Sequence, residues 1–166
     1  TNRPSPPSYP HLIPPVANAS PMRAFLDTSV LVPALASALS QHEKAFPHLA
    51  AVHRGEISLI ISGHALAECY SSLTALPVSP AVTPGQARRL IEENVVEAAE
   101  EIVRLGGSEY VKVLQRMADL GLESGGVYDA LHVYCAEKAS ADELRTFNGK
   151  DFRRMPPEGA TELVVL

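Results

Sequence analysis

From Met22 onward, short apolar runs alternate with longer stretches of helical period, and this alternation constrains the fold more than any other feature of the chain. MRAFLD reads as a strand ending at Asp27. SVLVPALASAL comes next as a helix in which Pro33 is tolerable only in the first turn. Ser40 and Glu43 have capping-box spacing for a second helix running to Gly55, which Pro47 kinks or delays. EISLIIS, 56–62, reads as a buried strand. GHALAECYSSLTAL reads as a helix with Leu66, Cys69, Tyr70 and Leu73 on its apolar face. After the loop PVSPAV, Thr83, Pro84 and Gln86 predict a capping box for a short helix over QARRLIEEN. The second half of VEAAEEIVRL reads as a strand. Ser108 is the expected cap of SEYVKVLQRMADLG, which Gly121 stops, and GGVYDALHVYCAEKAS is a further helix. ELRTFN and TELVVL are strands. The order β-α-α-β-α-α-β-α-α-β, with one late strand, predicts an α/β fold of three layers: a mostly parallel central sheet flanked by helices on both faces.

A chain of 166 residues fits one domain and can bury roughly two-thirds of its unfolded surface, so its core needs no disulfide or structural metal. Cys69 and Cys135 are far apart in apolar helical stretches and read as buried reduced thiols, consistent with a cytoplasmic location. No apolar run approaches the ~20 residues of a membrane span. Residues 1–21 differ from the rest. Seven of the fourteen prolines fall there with no period, which reads as an extended Pro-rich arm or leader, and the basic start and long apolar stretch of a secretory signal are missing. Residues 22–166 form the predicted domain, with Met22 near its start. The net charge of −5 matters for function: an acidic chain that holds nucleic acid needs a metal ion or a local basic patch to offset it.

Ligand sites in open parallel α/β sheets form at the carboxyl ends of strands. Asp27 stands at such an end. Glu68 lies near the second turn of the helix after the second strand, Asp129 in the first turn of the helix opened by Gly125 and Gly126, and Asn148 and Asp151 come after ELRTF. Taken singly, each has a structural reading. Asp27 would cap a helix with Thr28 and Ser29, and Asp129 would complement a helix N-terminus. Glu68, set among Leu66, Ala67, Cys69 and Tyr70, calls for a partner. Three or four acids on one rim argue for a shared ligand. Clustered carboxylates repel unless a cation or proton sits among them, and oxygen-only ligands select Mg²⁺ or Mn²⁺ over Zn²⁺. The matching chemistry is phosphodiester hydrolysis.

FLDTSVL, SGHALAECY, GGVYDALHV and LRTFNGKDF, taken in order, resemble the PIN domain, and most closely the VapC-type toxin ribonucleases of toxin–antitoxin pairs. The resemblance covers about residues 22–166. It implies a PIN-like fold with a parallel sheet flanked by helices, and an Mg²⁺- or Mn²⁺-dependent endoribonuclease that leaves a 5′-phosphate and a 3′-hydroxyl. By position it makes Asp27, Glu68 and Asp129 the metal-binding catalytic acids. Thr28 or Ser29 would support the first acid or the metal's water, Thr146 would position the cluster, and Glu68 would help deprotonate the water. The family's fourth acid often lies two residues after that threonine. Here that residue is Asn148, so Asp151 is the candidate to replace it, and occupancy by two metals is in doubt. The resemblance also implies an RNA substrate, a cognate antitoxin and a homodimer, with LVPALASAL and the helix ending AVHRG supplying the apolar surface. Closing the core is the competing role for those helices.

Among the basic residues, Arg88, Arg89, Arg104, Lys112, Arg116 and Arg145 read mainly as solvated surface. Lys150, Arg153 and Arg154 flank the site and are the best candidates for RNA contacts. His132 lies one helical turn from Asp129; a hydrogen bond at the site competes with a plain surface or core role. His42, His48, His53 and His64 lack zinc spacing, and Tyr128 and Tyr134 read as core. Two other functions compete. An aspartate-nucleophile phosphatase needs a second acid where Ser29 stands. A catalytically weak PIN-like module binding RNA or a partner is favoured by Asn148 and the negative charge, and opposed by three intact acids.

Overall fold

The computed structural model describes residues 20–166, so all but the last two residues of the Pro-rich segment lie outside it. In chain order the elements are β1 (Met22–Leu26), α1 (Thr28–Leu35), α2 (His42–His53), β2 (Ile57–Ser62), α3 (Gly63–Thr74), α4 (Pro84–Ile91), β3 (Ala99–Val103), α5 (Gly107–Asp119), α6 (Gly126–Lys138), β4 (Glu143–Thr146), α7 (Gly149–Phe152) and β5 (Glu162–Val165). A π-turn over Glu92–Val96 prolongs α4. The strands form one sheet in the order β3-β2-β1-β4-β5, and every pairing is parallel.

The alternation of side chains along each strand builds a three-layer core. Phe25, Ile60 and Leu144 point to the face covered by Val113 and Met117 of α5, Leu131 and Cys135 of α6, and Phe152 of α7. Ala24, Leu26, Leu59 and Ile61 point to the other face, under Leu31, Val52, Cys69, Leu73 and Ala87. Val30, Ala34, Ala45 and Leu49 seal α1 against α2. Both cysteines are free and buried, and burial pushes both thiols up to about 12, which suits inert core residues. No helix among the described residues is long and apolar enough to cross a membrane.

Several local expectations are corrected. Pro33 sits in the second turn of α1, not the first; the helix ends two residues later, and the Pro33 carbonyl accepts from His42 Nδ1 at 2.7 Å. The cap of α2 is Gln41 without a side-chain bond, rather than Ser40, and the helix runs through Pro47. The cap of α5 is Gly106, whose N–H donates to Glu109 Oε2 at 2.7 Å, so Ser108 lies inside the helix. Tyr70 is exposed, as is Tyr128. The Thr83–Gln86 capping box forms as expected.

Two parallel neighbours fix the site. The Asp27 N–H donates to the Arg145 carbonyl at 3.0 Å, and Asp142 N–H to the Arg23 carbonyl at 2.8 Å, which locks β1 beside β4. Close packing at the start of α7 sets the path of the chain as it leaves β4: a Cβ on Gly149 would lie 2.7 Å from Val165 Cγ1 and 2.8 Å from Cγ2. A β-branched side chain cannot swing clear. Gly149→Ala is therefore expected to lose about 1–3 kcal/mol in urea unfolding, and adding Val165→Ala should recover part of the loss. Unchanged stability in the single variant would show that the last strand yields.

Candidate active site

Asp27 comes directly after β1 and is only 4% exposed. It caps α1 by accepting from the Ser29 N–H at 3.3 Å. The same oxygen, Oδ2, accepts from Ser29 Oγ at 2.6 Å and from Thr146 Oγ1 at 2.9 Å. Each hydroxyl also accepts from the segment after β4: Ser29 Oγ from Phe147 N–H at 3.0 Å, and Thr146 Oγ1 from Asn148 N–H at 2.9 Å. A buried carboxylate is thus held by hydroxyls from two strand ends, while Oδ1 faces His132 Nε2 at 3.8 Å.

Glu68 lies in the second turn of α3 and points back to the same rim. Its Oε2 accepts from Thr28 Oγ1 at 2.9 Å and from His132 Nε2 at 2.5 Å, and Oε1 is 3.7 Å from His64 Nε2. His132, on α6, is 1% exposed; its Nδ1 lies 3.0 Å from Ser62 Oγ, which caps α3 by accepting from Ala65 N–H. Burial alone would raise the Glu68 carboxyl, but the His132 hydrogen bond and charge, with Thr28 and His64, hold it below its ordinary value. Burial alone would lower the His132 imidazole. The Glu68 hydrogen bond and the charges of Asp27, Glu68 and Asp129 outweigh that and raise it. Beyond His132, Tyr128 stacks on His64 with centroids 5.0 Å apart.

Asp129, in the first turn of α6, is half-buried. Its carboxyl is pushed up to about 6 by burial first, then by the negative charges of Asp27, Asp151 and Glu68 against the opposing pull of His132. Asn148 Nδ2 donates to Asp151 Oδ2 at 2.9 Å and reaches Asp129 Oδ2 at 3.5 Å, so the amide spans two acids. Lys150, Arg153 and Arg154 are exposed beside them. The fold therefore brings Asp27, Glu68, Asp129, Asn148, Asp151, Thr28, Ser29 and Thr146 to one rim. Among the described residues, no three His, Cys, Asp or Glu side chains already stand at metal-ligating distances of one another. The donor chemistry nonetheless fits a hard cation: Asp27 Oδ1 has only the distant His132 ring facing it, and burial together with the neighbouring carboxylates makes an ionised Asp129 unfavourable without a compensating charge.

Sequence reasoning assigns Ser62 no role at the site and leaves His132 between a site contact and a plain histidine. The signal for His132 is a polar ring one turn from Asp129 inside an otherwise apolar helix. The elevated Asp129 sets a stability test. The folded chain binds that proton more tightly than the unfolded chain, so ionisation opposes folding as pH rises through about 6. Metal-free Asp129→Asn should melt higher than the parent at pH 8, by about 1 kcal/mol after allowing for solvent screening, with the gap closing toward pH 4. A lower melting temperature for the variant at pH 8 would refute this.

The PIN domain family matches residues 24–157, and the chain belongs to that family. Within it, the similarity falls on VapC proteins. Ribonuclease VapC27 of Mycobacterium tuberculosis (strain ATCC 25618 / H37Rv) is 33% identical over 117 residues, covering 70% of this chain and 79% of that protein. Two solved structures share the fold. VapC20 of Mycobacterium tuberculosis, a sarcin-ricin loop cleaving toxin, aligns with a TM-score of 0.63 at 14% identity over 80% of this chain and 95% of its own. VapBC2 of Rickettsia felis, bound to a DNA fragment from its promoter, aligns with a TM-score of 0.59 at 22% identity over 87% and 99%.

Proposed function

We propose that this protein is a VapC-type endoribonuclease that hydrolyses RNA phosphodiester bonds with Mg²⁺ or Mn²⁺, and that it is the toxin of a toxin–antitoxin pair. The observation that carries the reading is the convergence of Asp27, Glu68 and Asp129 on one rim within a PIN fold. The VapC27 relative, a ribonuclease by name, supports the activity.

Asp27, Glu68 and Asp129 would hold the ion, with Asp151 and Asn148 beside it. Bound there, the ion would lower the pKa of the attacking water and neutralise charge on the phosphate and the leaving oxygen. The rest falls to the chain. Ser29 and Thr146 orient Asp27, and Thr28 and His132 orient Glu68, to which we assign acceptance of the water's proton. Asn148 brings a donor rather than a fourth charge between Asp129 and Asp151. Lys150, Arg153 and Arg154 contact phosphates of the flanking strand, which gives the acidic chain a local basic edge. The antitoxin or a second copy would use the groove between α1, α2 and the end of α4, about 490 Å³, where Leu35, Phe46 and Leu90 meet His42 and His53 and Phe46 is half exposed.

Incubation of folded protein with a panel of tRNA and structured RNA in Mg²⁺ or Mn²⁺ should yield cleavage that EDTA abolishes. Asp27→Asn and Asp129→Asn should each remove it; full activity in both would end the proposal. His132→Phe keeps an aromatic ring but deletes its polar contacts to Glu68, Ser62 and Asp27. It should weaken Mn²⁺ binding and cleavage by about 10–100-fold, as loss of a partner behind a metal ligand does. Unchanged Mn²⁺ affinity would reduce His132 to a core residue. A catalytically weak module that binds RNA or a partner is the second reading. Asn148 and the engagement of Glu68 by His132 favour it, and folded, metal-loaded protein that cleaves no RNA would establish it.

A further inference from the structure

A cavity of about 240 Å³ opens between the start of α6 and the segment after α7, and Asp129 forms part of its wall. The buried side chains Val133, Phe152 and Met155 line it. The charged groups Glu123 and Arg154 are exposed at its edge. Among the described residues no ion pair engages either of them. The volume falls below the ~300–1,000 Å³ of pockets that enclose drug-sized ligands, so it suits one flat ring system with apolar faces and a polar edge.

Resting on the nuclease reading, we propose that this cavity is a subsite for one unstacked guanine base of the RNA strand. The apolar side chains Leu122, Val133, Phe152 and Met155 suit the faces of a base, with the carboxylates of Asp129 and Asp151 on the side toward the acid cluster. Single-stranded RNA is read by splaying bases out and bonding their Watson–Crick edges. Glu123 decides which base. A carboxylate only accepts hydrogen bonds. Guanine offers two adjacent donors on that edge, its ring N–H and its exocyclic amine. Adenine and cytosine set one amine beside a ring acceptor that repels a carboxylate, and uracil sets its ring N–H between two carbonyls. Arg154 supplies the cation for guanine O6 or N7, or for the adjoining phosphate. Because Asp129 belongs both to this wall and to the acid cluster, a base seated here fixes the phosphodiester bond presented to Asp27, Glu68 and Asp129. The site therefore reads the nucleotide beside the cut.

The test uses the full chain in Ca²⁺ and 5′-labelled oligouridine heptamers with guanosine, inosine, adenosine or an abasic residue at the centre, read by fluorescence anisotropy. Guanosine should bind about tenfold more tightly than adenosine or the abasic residue, with inosine, which lacks the exocyclic amine, between them. Glu123→Gln should collapse the difference between guanosine and inosine. Met155→Trp, which fills the cavity, should erase the guanosine preference while circular dichroism stays unchanged. Equal affinities, no binding at all, or a preference that survives both variants would overturn the proposal. Cleavage of a random-sequence RNA pool in Mn²⁺ separates the two readings. Cuts next to guanosine that lose that bias in Glu123→Gln support the subsite. Cuts with an unchanged pattern overturn the subsite and leave the nuclease. Absence of cleavage together with guanosine-selective binding removes the nuclease and leaves the subsite.

Discussion

One carboxylate oxygen, Asp27 Oδ2, gathers three donors: the Ser29 N–H, the Ser29 hydroxyl and the Thr146 hydroxyl. Hydrogen bonds to charged groups contribute about 1.5–3 kcal/mol each, which offsets the cost of placing a carboxyl group in a nearly closed site. These bonds do more than satisfy a buried side chain. They cap α1, tie the end of β1 to the end of β4, and, through the lone pairs of the same hydroxyls, orient the backbone at Phe147 and Asn148. Every other polar group of the rim is positioned against that fixed point. With one oxygen saturated, the other is the only one left to meet a ligand.

The remaining acids are driven in opposite directions by their surroundings. Glu68 has His132 and Thr28 as donors and sits below its ordinary value, while Asp129 faces mainly burial and like charge and rises to about 6. Two carboxyl groups near one another with unequal proton affinity are the arrangement that divides acid and base duties in hydrolytic sites. His132 contributes to this inequality by hydrogen-bonding Glu68, while burial and like charge raise Asp129 against its pull. Ser62 fixes the ring from behind.

Much of this is legible in the sequence because the signals are local. Apolar runs of strand length, separated by helical periods, predict the element order and a mostly parallel sheet, which is parallel throughout. The Thr83–Gln86 box and the stop at Gly121 depend only on neighbours, and both appear. The expected caps miss by one or two residues: α2 starts after Gln41, which makes no side-chain cap bond, and at α5 the Glu109 carboxylate takes the Gly106 N–H. The expectation for Pro33 fails because the length of α1, not its start, makes the proline tolerable. At the candidate site, the acids stand out by residue type and spacing. Ser62 does not, because its importance comes from a side chain seventy positions away. Tyr128 reads as core because a helix pattern cannot show that its ring stacks on His64 at the surface.

The pairing of β1 with β4 has a consequence for the timing of synthesis. Asp27 is made well before two of its partners: its backbone N–H is satisfied by Arg145, and its side chain in part by Thr146, 119 positions later. Until those residues emerge, β1 has only β2 as a partner strand, and Asp27 lacks the hydroxyl and the carbonyl that fix it from the β4 side. The Asp27 part of the rim is therefore completed only after β4 has been made. A nascent chain that lacks β4 does not yet have the geometry of the site, so a protein that cuts RNA would spare the message and ribosome producing it until β4 has emerged.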